Sequence, residues 1–157
     1  MTATASSLEA RVQMLEDIEA IRTLKHRYAR HCDDHYNPTQ LAQLFTEDGV
    51  WDGGAFGVHQ GRAAIHELFT NITQQISFSL HYIVNHEVNV DPAVQAATGH
   101  CYLWGTHTIG GHATFVGITF DERYRKVDGC WLFALMKLNI HYMTPYESGW
   151  VEQPMFT

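Results

Sequence analysis

The chain has 157 residues, a formal charge of −7 and 45% hydrophobic residues, so it is most simply one domain spanning 1–157. A domain of that length can bury roughly 70% of its unfolded surface. No Lys/Arg-rich run exists to neutralise phosphates and no apolar run approaches the ~18 residues of a membrane span, which excludes a nucleic-acid partner and a membrane helix.

Met1 to Ser7 lacks the basic and apolar regions of a secretory leader. Cys32, Cys101 and Cys130 are odd in number and widely spaced, which fits free thiols in a reducing cytoplasm. Ser6 with Glu9 three residues on makes a capping-box start. Leu8, Val12, Leu15, Ile18, Ile21, Leu24 (or Lys25), Tyr28 and Cys32 then recur at three or four, predicting one buried helical face to about residue 33. Asn37-Pro38 restarts a short helix carrying Leu41, Leu44 and Phe45 inward and ending near Glu47. Gly49 to Asp52 reads as a strand, Gly53-Gly54 as a turn, and Ala55 to His59 as a returning strand.

Gly61 opens a third helix with Ile65, Leu68, Phe69 and Ile72 on one face. From Phe78 the period becomes two. Strands are predicted over Leu80–Val90, Ala96–Ile109, His112–Val127 and Cys130–Met143, the last pair joined by an Asp128-Gly129 hairpin. Helices first and a meander of long strands later predict an α+β fold. The expected form is a cone-shaped barrel, a strongly curved, mostly antiparallel sheet closed by the N-terminal helices, whose open mouth suits a buried ligand. The segment after Pro145, with Tyr146, Trp150, Met155 and Phe156, is expected to cap that mouth or reach a neighbouring subunit.

Two polar residues stand out against this frame. Asp33 lies five positions after Tyr28, about 140° round an ideal helix, so the two share a face only if the helix ends or tightens there. Asp33 and Asp34 could simply form a solvated helix end, but acidic groups there oppose the macrodipole, so two in succession are unusual. His81, on the first long strand, can exchange a proton near neutrality if a partner fixes its tautomer, and Asp33 is the expected partner. With His81 facing the cavity, alternation puts Ile83 and Asn85 inside and Tyr82, Val84 and His86 outside. No serine or cysteine nucleophile motif accompanies the pair, so proton abstraction fits better than acyl transfer.

The eleven histidines outnumber Lys and Arg together, which raises the question of a metal. His31 and His35 share a helical spacing, but no paired Cys or His-Glu-x-x-His run supports a site, and none is assigned. His100, His107 and His112 read as surface or interface residues. Trp51, Tyr102, Trp104, Phe115, Phe120, Trp131 and Phe133 read mainly as core or interface aromatics.

The order and spacing of Tyr28-x-x-x-x-Asp33, His81-Tyr82-x-x-Asn85, the hairpin from Glu122 to Trp131, and Ile140-His141-Tyr142-Met143-Thr144-Pro145 resemble the SnoaL-like branch of the nuclear-transport-factor-2-like superfamily. That branch includes dehydratases and a dehydrochlorinase, and the resemblance runs from about Leu15 to Pro145. It implies a cone, often a homotrimer, with a cofactor-free His/Asp dyad matched by His81 and Asp33. Tyr28 matches a tyrosine with which the dehydratases hold an oxygen function, and Trp51 matches a pocket tryptophan. Cys101, Leu103 and Met136 are expected as further substrate-binding residues. The dehydrochlorinase carries a lysine where Tyr28 stands and an arginine where Met136 stands. Their absence favours an oxygen-containing substrate over a halide.

The expected activity is therefore a cofactor-independent, dehydratase-type lyase acting on a hydrophobic cyclic small molecule. A polyketide cyclase, an isomerase or a dehydrochlorinase would use the same dyad, and a non-catalytic ligand-binding module would use the same cone.

Overall fold

A computed structural model describes residues 7–155. The first helix, α1, spans Leu8–Asp33, and its cap is Ser7, whose side chain accepts from Ala10 N–H at 3.2 Å. Ser6, the cap expected from sequence, lies outside the described residues. The predicted apolar face is only half used: Leu8, Val12 and Leu15 are exposed, while Ile21, Leu24, Lys25, Tyr28 and Cys32 are buried. Asp17 is where burial begins. It accepts from Lys126 Nζ at 2.7 Å and Trp131 Nε1 at 2.9 Å, and these partners hold its carboxyl below the ordinary value despite burial.

After α1 come α2 (Pro38–Gln43), with Asn37 capping Gln40 N–H, and β1 (Phe45–Asp52). The helix is shorter and the strand longer than the sequence suggests, because Phe45 already pairs with Phe133 in the sheet. A 3-10 turn (Gly54–Phe56) and a three-residue strand β2 (Val58–Gln60) replace the predicted five-residue return. Next are α3 (Arg62–Ile72), β3 (Ile76–Asp91), β4 (Ala96–Ile109), β5 (His112–Val127), β6 (Cys130–Pro145) and a short α4 (Gly149–Glu152).

The strands form one sheet in the order β2-β1-β6-β5-β4-β3, antiparallel except for β1 against β6. Hydrogen bonds do not close it; β2 and β3 are its edges, and the helices cover the inner face. The tail folds back on the C-terminal part of β6: Met143 N–H donates to Pro154 O at 2.9 Å, and Trp150 packs on Tyr142. Tyr82, Tyr102 and Trp104, by contrast, lie exposed on the outer face. No described helix is long and apolar enough to cross a membrane.

One end of the interior is plugged by polar groups. Lys25, fully buried, donates to Glu122 Oε1 at 2.6 Å and stands 3.3 Å above the centre of the Phe120 ring. Glu122 also accepts from the Tyr124 hydroxyl, which contacts His86 Nε2 at 3.1 Å. His86 therefore points inward, opposite to the simple alternation. A bulge between Val84 and Glu87, with Asn85 at φ +52°, inserts residues without partners and flips the parity of the strand beyond it. Asn85 is turned out to solvent. Burial pushes the His86 imidazole down to about 4, so the network is one ion pair with neutral hydrogen-bonding neighbours.

Candidate active site

The other end of the interior is open. A cavity of about 480 Å³ is lined by aromatic and aliphatic residues from α1, α3 and the inner faces of β3 to β6. A groove of similar volume, lined by residues between Asn89 and Thr98 and by Arg123–Arg125, is a more open surface feature.

Asp33 and His81 meet beside the cavity. His81 Nδ1 lies 2.6 Å from Asp33 Oδ1, and the His81 backbone N–H donates to Asp33 Oδ2 at 3.3 Å. The carboxylate at the helix end is thus compensated by two donors from β3, which offsets the unfavourable macrodipole. Asp33 and Tyr28 do not share a helical face. The helix runs unbroken to Asp33, and β3 docks against its end, where the Ser79 hydroxyl donates to Cys32 O at 2.9 Å. With the carboxylate on Nδ1, the ring in its neutral form carries its proton there and has its Nε2 lone pair as the basic site.

Tyr28 lines the cavity, and its hydroxyl oxygen accepts from Trp51 Nε1 at 3.2 Å. That bond leaves the phenolic proton for an oxygen in the cavity or the neighbouring Cys32 thiol. Burial drives the Tyr28 phenol well above its ordinary value and the Cys32 thiol upward as well, so both stay neutral. Trp51 is itself a cavity wall, as is Leu103.

Cys101 and Met136 are not. Both are fully buried on inward faces, but further along the strands, where the interior is filled: Cys101 Sγ lies 4.0 Å from Glu122 Oε2, and Met136 pairs with Trp51 and Glu122 in the sheet. The predicted face is right and the depth is wrong, because the ion pair of Lys25 and Glu122 ends the cavity before either residue. Burial lifts the Cys101 thiol to about 12. Cys101, His86 and Glu122 bring ligand atoms within 4.8 Å of one another, but Lys25 and Tyr124 already engage the carboxylate. His31 is half-buried and His35 exposed, on the outer side of the helix end.

Two further residues complete the site. His107, expected at the surface, is only 5% exposed and lines the cavity with its ring centre 4.8 Å from that of His81. Neither ring nitrogen has a partner among the described residues. Burial, with a smaller contribution from His81, pushes this imidazole down to about 3. It is a neutral group offering one N–H and one lone pair to whatever enters the cavity. Alternation along β4 carries the signal: His107 follows Leu103 by four, with Gly105 between them and opposite His81. A Cβ at Gly105 would lie 3.3 Å from His107 Nε2 and 2.9 Å from Leu80 O, so glycine there makes room for the ring.

The second is Tyr36. His35 and Tyr36 both take positive φ, +51° and +49°, which reverses the chain directly after α1 and carries the Tyr36 ring over the cavity. Two such non-glycine residues cost about 1–3 kcal/mol each unless neighbouring structure holds them. Here Tyr36 N–H donates to Cys32 O at 3.0 Å, and the ring stacks on Phe69. Its hydroxyl stands 3.4 Å from His81 Nε2. A tyrosine in a turn carries no sequence pattern, and nothing in the spacing points to it.

An α+β cone of this kind, here with a part-buried histidine–carboxylate pair beside a largely apolar cavity, is the fold of the nuclear-transport-factor-2-like class. The chain belongs to the SnoaL-like family, whose model matches residues 13–137. It is similar in fold to LinA hexachlorocyclohexane dehydrochlorinase (type 2), at 20% identity and a TM-score of 0.80 over 86% of this chain and 92% of the other. A protein from Novosphingobium aromaticivorans provisionally named a scytalone dehydratase matches at 22% identity, with a TM-score of 0.76 and coverage of 84% and 89%. Another from that organism, provisionally named an aromatic ring hydroxylase, matches at 26%, with a TM-score of 0.76 and coverage of 83% and 94%.

Proposed function

We propose that this protein is a cofactor-independent lyase that removes water from an uncharged, hydrophobic, cyclic hydroxy-carbonyl compound. The observation that carries the reading is the 2.6 Å contact of Asp33 Oδ1 with His81 Nδ1 at the wall of an apolar cavity. His81 Nε2 takes the proton α to the carbonyl, and Asp33 holds the ring and stabilises the imidazolium. A positioned base supplies about 10²–10⁴-fold. The developing enolate oxygen needs donors, and the neutral Tyr28 hydroxyl and the unpartnered His107 ring are the groups in place for it. Removing one such donor typically costs about 10²–10³-fold.

The cavity lining favours this over a halide or an anionic substrate. Glu67 is its one carboxylate, and no lysine or arginine is among the described residues that line it. Lys25, which stands over the cavity residue Phe120, is already neutralised by Glu122. An isomerase would begin with the same proton transfer and would differ in where the proton returns.

The test is deuterium exchange into the α position of 3-hydroxycyclohexanone, followed by NMR, together with the appearance of the enone absorbance. Exchange that falls by about 10²-fold or more in His81→Ala and Asp33→Asn, with folded variants, is the expected result. Exchange and enone formation both no faster in wild type than in His81→Ala would refute the elimination reading.

A further inference from the structure

Elimination needs two proton movements, and the dyad accounts for only one. The base receives the α proton; the departing hydroxyl must also be protonated, since hydroxide is a poor leaving group in an apolar cavity. Asp33 cannot supply that proton, because both its oxygens are engaged with His81 on the side away from the cavity. His107 carries one N–H, but its ring is tilted at 45° to that of His81, and neither of its nitrogens has a hydrogen-bond partner among the described residues that could reload it.

Tyr36 meets both requirements. Its hydroxyl lies 3.4 Å from His81 Nε2, the atom that holds the abstracted proton, and its ring crosses the imidazole edge-on at 77°. Phe69 stacks on the ring at 6.2 Å, and the left-handed backbone at His35 and Tyr36 fixes its approach. Burial keeps the phenol protonated at rest.

Resting on the elimination reading above, we propose that Tyr36 is the acid that protonates the departing hydroxyl, and that the His81 imidazolium restores its proton. In the resting site the phenol donates to Nε2. When substrate enters, rotation about the phenolic C–O bond turns that hydrogen to the substrate hydroxyl and frees the Nε2 lone pair. The α C–H bond then breaks, its proton going to Nε2 and its electrons to the enolate. The enolate electrons form the C=C bond as the C–O bond breaks, and the leaving oxygen takes the Tyr36 proton to become water. The tyrosinate recovers a proton from Nε2, so both residues end as they began.

The partition of the enolate between return of the proton and loss of water isolates this role. With 3-hydroxycyclohexanone in D2O, Tyr36→Phe is expected to keep α exchange within about 3-fold of wild type while enone formation falls by 10²-fold or more, an order set by the loss of one general acid. A fall of both together would make Tyr36 a residue that merely holds His81, and no change in either would give it no role; both results overturn the proposal. Exchange and enone formation both no faster in wild type than in His81→Ala overturn the elimination reading itself, and are recognised by the absence of either product of the first step. A ¹⁵N spectrum of the His81 ring checks the contact without substrate. The Nε2 resonance is expected to move in Tyr36→Phe, and an unmoved resonance would remove the proposal's geometric basis.

Discussion

His107 ties the chemistry proposed for the cavity to the stability of the fold. Its ring is buried with both nitrogens lacking partners among the described residues, and its imidazole is held down to about 3 from an ordinary 6.5. Between those values the unfolded chain binds a proton that the folded protein refuses, so stability falls as pH drops from about 6.5 toward about 3. The slope is about 1.4 kcal/mol per pH unit, which makes roughly 3 kcal/mol between pH 6.5 and 4.5 from this ring alone. His107→Leu removes the titrating group and leaves no unpaired polar atom. At pH 7.5 it is expected to be as stable as wild type or more so, by up to about 1–3 kcal/mol, the cost of an unsatisfied buried polar group. At pH 4.5 its advantage should be larger by the further ~3 kcal/mol. Urea unfolding midpoints at half-unit steps of pH, with unchanged m-values, measure both quantities. The variant should also lose α-proton exchange activity, so that it gains stability as it loses function. Parallel stability curves for the two proteins would show that His107 is protonated or solvated in the fold, and the assignment of a neutral cavity donor would fail.

The plug at the closed end gives a second expectation. Lys25→Met strands the Glu122 carboxylate without its cation and should cost about 3–5 kcal/mol, while adding Glu122→Gln should recover much of it. Thermal unfolding of the single and double variants decides this, and a Lys25→Met protein as stable as wild type would mean that the pair does not form. A third concerns the cavity wall. A Cβ at Gly53 would lie 2.3 Å from Trp51 Cζ3, so Gly53→Ala must swing the indole away and break its bond to the Tyr28 hydroxyl. A shift in tryptophan emission with a raised KM for the hydroxy ketone is expected, and an unchanged spectrum would mean that the indole is not held as described.

The sequence by itself determines most of the elements and part of the candidate site. The three-and-four spacing of Ile21, Leu24, Tyr28 and Cys32 places α1 on the sheet, and Asp128-Gly129 marks the β5–β6 turn, because these signals act within a few residues of one another. The pairing of Asp33 with His81 spans 48 positions and is reached through the order of motifs rather than through any local pattern. Tertiary structure alone decides the rest. Periodicity says which way a side chain points, not whether the space there is open or filled. Thus Cys101 and Met136 face inward yet lie past the Lys25–Glu122 plug, while His107, two places beyond Gly105, reaches the cavity. The bulge at Asn85 turns His86 inside against the alternation, and the left-handed turn at His35 and Tyr36 carries a phenol over His81. Both depend on backbone conformations that non-glycine residues adopt only when distant contacts hold them, so no pattern of neighbours in the chain could announce them.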